Sequence, residues 1–376
     1  MRAVLCSEHG PPEKLKVAEV DDPRPQKGQV VLNVEACGVN FPDTLIIEDK
    51  YQFHPPLPFS PGGEVAGVIE SLGEGVTGFE VGEKVIALMP FGGYAEKVAV
   101  DYMALLKRPP EMDGVSAAGF SMTYGTSMHA LKQRANLQKG ETLLVIGAGG
   151  GVGLTAVQLG KAMGAEVIAA ASTNEKLQAA KESGADHLIN YSEGSLRDKI
   201  KEIRGKKGVD VVYDAVGGDL FEQALRSTTW KGRVLVIGFA SGKIPKIPMN
   251  LPLLKGLDII GVFWGAFRER ETDLDNKNFQ ELFDLYKEGK IKPHISKIYS
   301  LEEAPNALND LLERKVICVP FKSGLLSFKY APAYSFNGEL NDDLFVNAKK
   351  YKSVLEESRK LNLEFYNYLT SKYDLV

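Results

Sequence analysis

The stretch TLLVIGAGGGVGLTAVQLGKAMGAEVIAAAS, Thr142 to Ser172, limits what this chain can fold into more than any other part of it. An apolar run is followed by clustered glycines, then by a segment with apolar residues at i, i+3 and i+4, then by a second apolar run. Strand, glycine turn, helix and strand in that order make a βαβ unit, which needs a parallel sheet covered by helices. With the loop taken as Ala148-x-Gly150-x-x-Gly153, the first position makes the tight turn. Gly150 lets the backbone approach a pyrophosphate, and Gly153 lets the helix pack on the strand. The N–H groups of Gly150, Gly151 and Val152 are then expected to face phosphate, assisted by the helix dipole. The loop is that of a dinucleotide site.

Around this unit the chain alternates in the same way. Strand-like runs ETLLVIGA, AEVIAAAS, DHLINY, VDVVYDAVG, GRVLVIGFA and LDIIGVFW are separated by helical segments such as NEKLQAAKESG and GDLFEQALRSTT. Six strands with helices between them predict a doubly wound α/β sheet. Before Phe120 the pattern is different, with short β runs (RAVLC, QVVLNVEAC, GEVAGVIESLG, EKVIAL, YAEKVAV) punctuated by Gly and Pro, as in an irregular barrel. The proline-rich FHPPLPFSPGGE, Phe53 to Glu64, is an extended loop between them. After Gly265 a helix (NFQELFDLYKEGK) and a strand-like KPHISKIYSL are placed to return to the first half. A terminal stripe of Leu344, Ala348, Tyr351, Leu355, Leu361, Phe365 and Leu369 predicts either an amphipathic helix packed on the body or a partner-binding, partly disordered tail.

Composition removes several function classes. Forty-nine acids against 45 bases give a formal charge of −4, so no basic field is available to hold nucleic acid. The cluster Lys199, Lys201, Arg204, Lys206, Lys207 is short and sits at the end of a surface helix. Three scattered cysteines, Cys6, Cys37 and Cys318, make neither a disulfide framework nor a zinc lobe, which fits a reducing, cytoplasmic setting. No long apolar run predicts a membrane span, and the opening MRAVLCSEHG reads as a first strand rather than an export signal.

Cofactor choice is written at the end of the second strand of the βαβ unit. An Asp or Glu there would hydrogen-bond the ribose 2′-hydroxyl of NAD, but this chain reads Ala170-Ala171-Ser172-Thr173, with Lys176 shortly after. Hydroxyls and a lysine suit a 2′-phosphate, which points to NADPH. The plainer alternative is that Ser172 and Thr173 only cap the next helix while Lys176 is solvated.

The segments ACGVNFPDTLI, LPFSPGGEVAGVI, MTYGTSMHALKQRANLQKGETLLVIGAGGGVG, QLGKAMGAEVI, INY and DVVYDAVGG carry a family resemblance. From Met1 to about Val319 the chain resembles the zinc-free quinone oxidoreductase, or zeta-crystallin-like, branch of the medium-chain dehydrogenase/reductase superfamily. The resemblance implies an α/β chain built from a GroES-like β-barrel catalytic domain and a doubly wound Rossmann parallel-sheet domain. On this basis residues 1–122 are the first part of the catalytic domain, 123–264 the NADPH-binding domain, 265–320 the return segment, and 321–376 an atypical extension. Members of the branch usually close with a Gly-Lys-containing strand, whereas here Lys315-Val316-Ile317 leads into Cys318-Val319-Pro320.

Zinc-dependent members of the superfamily carry ligands where this chain has Asn40 and Gly63, so no metal is expected. Carried over residue by residue, the resemblance puts Asn40, Asp43 and Tyr51 at the catalytic mouth. It puts Thr123, Gly238 and Phe239 around the nicotinamide, with Val216 and Phe263 nearby, and Tyr191 beside Ser172 and Lys176 at the adenine ribose phosphate. The five histidines are dispersed and none is read as a general acid. The implied activity is hydride transfer from NADPH to a quinone or an α,β-unsaturated carbonyl. The alternatives are an enoyl-thioester reductase or a non-catalytic NADPH-binding protein. The apolar edge LDIIGVFW further implies a homodimer, with neither nucleic acid nor membrane as a partner.

Overall fold

A computed structural model describes residues 1–315 and 319–322, and the expectations for the extension from residue 323 onward lie outside them. The first half is antiparallel β structure. Strands β1 (Arg2–Leu5) and β2 (Lys16–Glu19) pair with each other. The main sheet contains β3 (Gln29–Val39), β4 (Glu64–Leu72), β5 (Lys84–Leu88), β6 (Lys97–Asp101) and β7 (Leu105–Lys107), with helix α1 (Phe41–Ile46) at the end of β3. Alternate residues of β3, such as Val30, Leu32 and Val34, point into a core shared with Ile69, Val85, Val98 and Val100.

Short helices α2 (Gly114–Ala118) and α3 (Ser121–Met128) lead into the parallel half. There β8 (Thr142–Ile146), α4 (Gly151–Ala162), β9 (Glu166–Ala171), α5 (Asn174–Glu182), β10 (His187–Asn190), α6 (Leu196–Arg204), β11 (Val209–Asp214), α7 (Asp219–Ser227), β12 (Thr228–Val236), α8 (Asn250–Lys255) and β13 (Asp258–Gly261) alternate. The six strands lie parallel in the order β10-β9-β8-β11-β12-β13, so the strand order reverses between β8 and β11. This is the doubly wound arrangement expected from the sequence, and ligands bind at such a reversal, beyond the carboxyl ends of the strands. Central β8 is buried on both faces: Leu143 and Val145 join one core and Leu144 and Ile146 the other. That accounts for its unbroken apolar text.

The chain then runs through α9 (Trp264–Arg270), α10 (Thr272–Lys287) and α11 (Ala304–Leu312) to β14 (Val319–Lys322), which pairs antiparallel with the end of β3. Among the described residues the strand expected over KPHISKIYSL does not form, beyond a single bridge position at Tyr299. Pro293 has no N–H to give, and the backbone of Lys292 is already satisfied by a side chain. Gln158 of α4 accepts from the Lys292 N–H (2.8 Å) and donates to its carbonyl (3.0 Å).

Candidate functional site

The glycine loop fills the gap between β8 and α4. The residue with the left-handed turn geometry is Gly147 (φ +82°), one place before the Ala148 read as the turn position. The Gly150 N–H is directed back to the Gly147 carbonyl at 2.9 Å, so it is not available to a ligand as the sequence reading held. The N–H groups of Gly151 and Val152, in the first turn of α4, have no intrahelical acceptor, and no side chain caps this end. Gly153 has to be glycine, because a Cβ there would stand 2.1 Å from the Gly147 carbonyl oxygen and 2.8 Å from the Ala148 Cα. At Gly150 a Cβ would meet nothing nearer than 3.5 Å, so that position is open to an incoming group.

The carboxyl end of β9 lies beside the loop. Thr173 caps α5 by accepting from the Lys176 N–H, as the plainer reading had it. The Lys176 stem crosses the loop, and a Cβ on Gly149 would lie 2.3 Å from the Lys176 Cβ. Tyr191, in a short turn after β10, hydrogen-bonds Ser172, and the Ser192 hydroxyl donates to the Ser172 carbonyl. Ser172, Lys176 and Tyr191 are therefore brought together. Arg314, just past α11 and in a left-handed backbone conformation (φ +60°), joins them and was not identified from the sequence. Its Nη2 donates to the Ala240 carbonyl at 2.6 Å. The Lys176 ammonium is shifted down, first by burial and then by the charge of Arg314. Among the described residues neither cation is in a salt bridge; Glu175 pulls the Lys176 pKa up, but burial and the charge of Arg314 outweigh it.

At the other end of the reversal point, Asp214 closes β11. One of its oxygens accepts from the N–H groups of Val216 (2.8 Å) and Gly217 (3.0 Å), and the other has no partner. Its backbone carbonyl accepts from Ile237 and Gly238. Asp214 thus ties the loop carrying Val216 to the loop carrying Gly238 and Phe239. The ring of Phe239 is half exposed, that of Phe263 at the start of α9 is exposed, and Val216 is buried. Thr123 is buried on α3, and its carbonyl accepts from the Thr155 hydroxyl of α4 at 3.1 Å. Thr123 and Gly151 also line one cavity of about 10 Å³, room for a single water, and His294 reaches the same cavity.

The barrel side contributes a buried polar cluster. Asn40 opens α1, its backbone N–H donating to Asp43 (2.8 Å), and the Tyr94 hydroxyl donates to the same Asp43 oxygen (2.9 Å). Asp43 is 3% exposed, so its carboxyl is enclosed in the barrel, and burial pushes its pKa up to about 6 against the pull of those donors. Glu64, at the first residue of β4, is fully buried. It accepts from Asn40 Nδ2 (3.1 Å) and from the Met122 N–H (2.9 Å), and burial raises it to about 7. Cys37 is a buried thiol shifted well up by desolvation, with Gly62 and Gly93 against its sulfur. A Cβ on Gly63 would stand 2.7 Å from the Met89 carbonyl oxygen, so no ligand side chain fits there. Tyr51 is half buried and its hydroxyl is shifted up by burial, then by Asp43. Among the described residues no three His, Cys, Asp or Glu side chains gather as a metal cluster.

Residues 26–110 match the family model for the alcohol dehydrogenase GroES-like domain, and residues 151–285 match that for zinc-binding dehydrogenase. The bovine (Bos taurus) quinone oxidoreductase-like protein 2 is 40% identical over 316 residues, 84% of this chain and 90% of the relative. The chain belongs to the quinone oxidoreductase branch of the medium-chain dehydrogenase/reductase superfamily. Human quinone oxidoreductase is 34% identical over 83% of this chain and 94% of its own length. The crystal structure of Escherichia coli quinone oxidoreductase complexed with NADPH superposes with a TM-score of 0.79 at 29% identity, covering 86% of this chain and all of that one. The family assignment makes the β-rich half a GroES-like domain and the parallel half a Rossmann sheet, as the sequence implied. The chain is accordingly of an oxidoreductase family.

Proposed function

We propose that the chain is an NADPH-dependent, zinc-independent reductase that delivers hydride to a quinone or an α,β-unsaturated carbonyl. The observation that carries the cofactor half is the couple of Lys176 and Arg314, neither in a salt bridge among the described residues, beside Ser172 and Tyr191, where a carboxylate would sit in an NAD site. A dianionic 2′-phosphate relieves their mutual repulsion and gains charge-assisted hydrogen bonds from both. Gly151 and Val152 hold the pyrophosphate at the N-terminus of α4. The loops tied by Asp214 and the wall at Thr123 bound the nicotinamide, with Gly238, Phe239, Val216 and Phe263 around it. NADPH, when bound, supplies the hydride.

On the acceptor side, Asn40 has one amide hydrogen engaged by Glu64, which leaves the second to meet the developing oxyanion. The proton comes from water or from a hydroxyl such as that of Tyr51, which its raised pKa keeps protonated. Asp43, spent on Asn40 and Tyr94, acts through the geometry of α1 rather than by touching the acceptor. Zinc does not fit: Gly63 has no room for a ligand, Asn40 is bound to Glu64, and the Cys37 sulfur is walled off by glycines. The domain limits read from the sequence are retained in this proposal, with residues 265–320 returning to the barrel.

NADPH oxidation followed with naphthoquinone and with a simple enone tests this reading. Turnover is expected to survive overnight dialysis against a chelator. NADPH binding without turnover on either acceptor would support a non-catalytic role, and activity lost with stoichiometric zinc would sink the zinc-free assignment. We also propose a homodimer through β13. That strand is an open sheet edge, and Trp230, Met249, Leu253 and Leu254 are more than 60% exposed. Light scattering is expected to give twice the 41.1 kDa chain mass, and Leu253→Glu/Leu254→Glu the single mass. A wild-type monomer contradicts it.

A further inference from the structure

Two buried carboxyl groups flank Asn40 with no cation beside them among the described residues, and the family's hydride transfer does not by itself explain why. Asp43 holds the Asn40 backbone and completes the first turn of α1. Glu64 does something different. One of its oxygens accepts from Asn40 Nδ2 at 3.1 Å, and the other from the Met122 N–H at 2.9 Å. Met122 immediately precedes Thr123 in the first turn of α3. A single rigid carboxylate on β4 is therefore bonded to a residue on each wall of the proposed hydride-transfer cleft, the barrel wall at Asn40 and the α3 wall at Thr123.

Space around Glu64 is allotted closely. A Cβ on Gly38 would come within 2.8 Å of Glu64 Oε2 and 2.2 Å of the Ala118 carbonyl, so β3 carries no side chain where the carboxylate lies against it. Burying a carboxylate whose hydrogen bonds all come from neutral groups, the Asn40 amide and the Met122 and Ser121 backbones, costs stability, and an apolar residue would fill the same space at lower cost. Such a group is retained where its geometry is used.

We propose that Glu64 is a positioning residue of this site, one whose two oxygens set the amide of Asn40 and the start of α3 relative to each other and so aim the free Asn40 N–H at the acceptor oxygen. The inference rests on the reductase reading above for its substrate, but the bond network it invokes belongs to the chain alone. An ionised Glu64 accepts from both N–H groups. A protonated one gives up an acceptor site to its own hydrogen. The titratable groups that face it are Asp43 on α1 and the Cys37 thiol on β3.

Glu64→Gln is the test, because a glutamine has one acceptor oxygen and can keep Met122 or Asn40 but not both. With NADPH and naphthoquinone, kcat is expected to fall about 10- to 50-fold while the NADPH Kd stays within twofold and Tm within a few degrees. Wild-type kcat is expected to rise with pH as Glu64, raised to about 7 by burial, ionises, and that rise is expected to vanish in the variant. Wild-type kcat and pH profile in the variant would overturn the proposal, and so would a loss of kcat matched by equal losses in NADPH affinity and Tm. Amide exchange at Met122, read without any substrate, is expected to quicken about 10-fold in Glu64→Leu, which has no acceptor oxygen, and unchanged exchange there breaks the proposed link. If the wild type turns over neither quinone nor enone, the reductase reading fails and the exchange measurement alone decides the role of Glu64.

Discussion

Gly153→Ala is expected to lower NADPH affinity at least about 100-fold, on the order of 3 kcal/mol. The added methyl would lie 2.1 Å from the Gly147 carbonyl oxygen and 2.8 Å from the Ala148 Cα, and both are backbone atoms with no flexible end to swing away. Relief requires α4 to back off the loop, which moves the N–H groups of Gly151 and Val152 from the pyrophosphate and costs about 1 to 3 kcal/mol of overpacking strain. Gly150→Ala separates the two effects. Its Cβ meets nothing within 3.4 Å, so Tm should match the wild type while NADPH, which needs backbone approach there, binds much more weakly. Calorimetric titration and thermal melts on both variants decide the matter. Gly153→Ala binding NADPH within a few-fold of wild type would mean that this loop is not the phosphate cradle.

The second large effect is on cofactor choice. Removing Lys176 or Arg314 alone is expected to cut the NADPH over NADH preference by about 10- to 150-fold, since each contributes a charged hydrogen bond of about 1.5 to 3 kcal/mol. The double variant is expected to lose less than the sum, because the phosphate's relief of the repulsion between the two cations is already forfeited when either one is removed. NADH affinity should change little in any of the three. Equal use of NADPH and NADH by the wild type would remove the basis of this prediction, and an unchanged preference in Arg314→Ala would place that guanidinium outside the phosphate site.

What the sequence disclosed and what it withheld follow from how far apart the cooperating residues lie along the chain. The βαβ unit is local: its strand, turn and helix periodicities occur in one run, and the same run ends at Ser172 and Lys176. The doubly wound sheet was legible for the same reason. Arg314 left no such trace, because an arginine after a helix reads as an ordinary C-terminal cation and only the fold brings it to Lys176. The GGE segment showed where a zinc ligand is missing, yet not that Glu64 is buried between two walls, since burial against α3 is a tertiary fact. KPHISKIYSL has strand-like text, but at its start Gln158 takes both backbone groups of Lys292 and Pro293 has no N–H to offer a ladder. The turn position was misassigned by one residue, as a run GAGGGVG offers several registers and only the backbone angle at Gly147 separates them.

The pairing of β14 with β3 also sets an order of events during synthesis. Cys37, Gly38 and Val39 receive their edge partners Phe321, Pro320 and Val319 only after about 280 further residues have been made. At roughly 5 to 20 residues per second, the ribosome leaves that margin of the barrel uncovered for about 15 to 60 seconds. All six parallel strands, by contrast, lie between Thr142 and Gly261 and have left the ribosome before the closing strand is translated. The nucleotide-binding half can therefore reach its final pairing first, and the barrel is the part of the nascent chain that waits with an open edge.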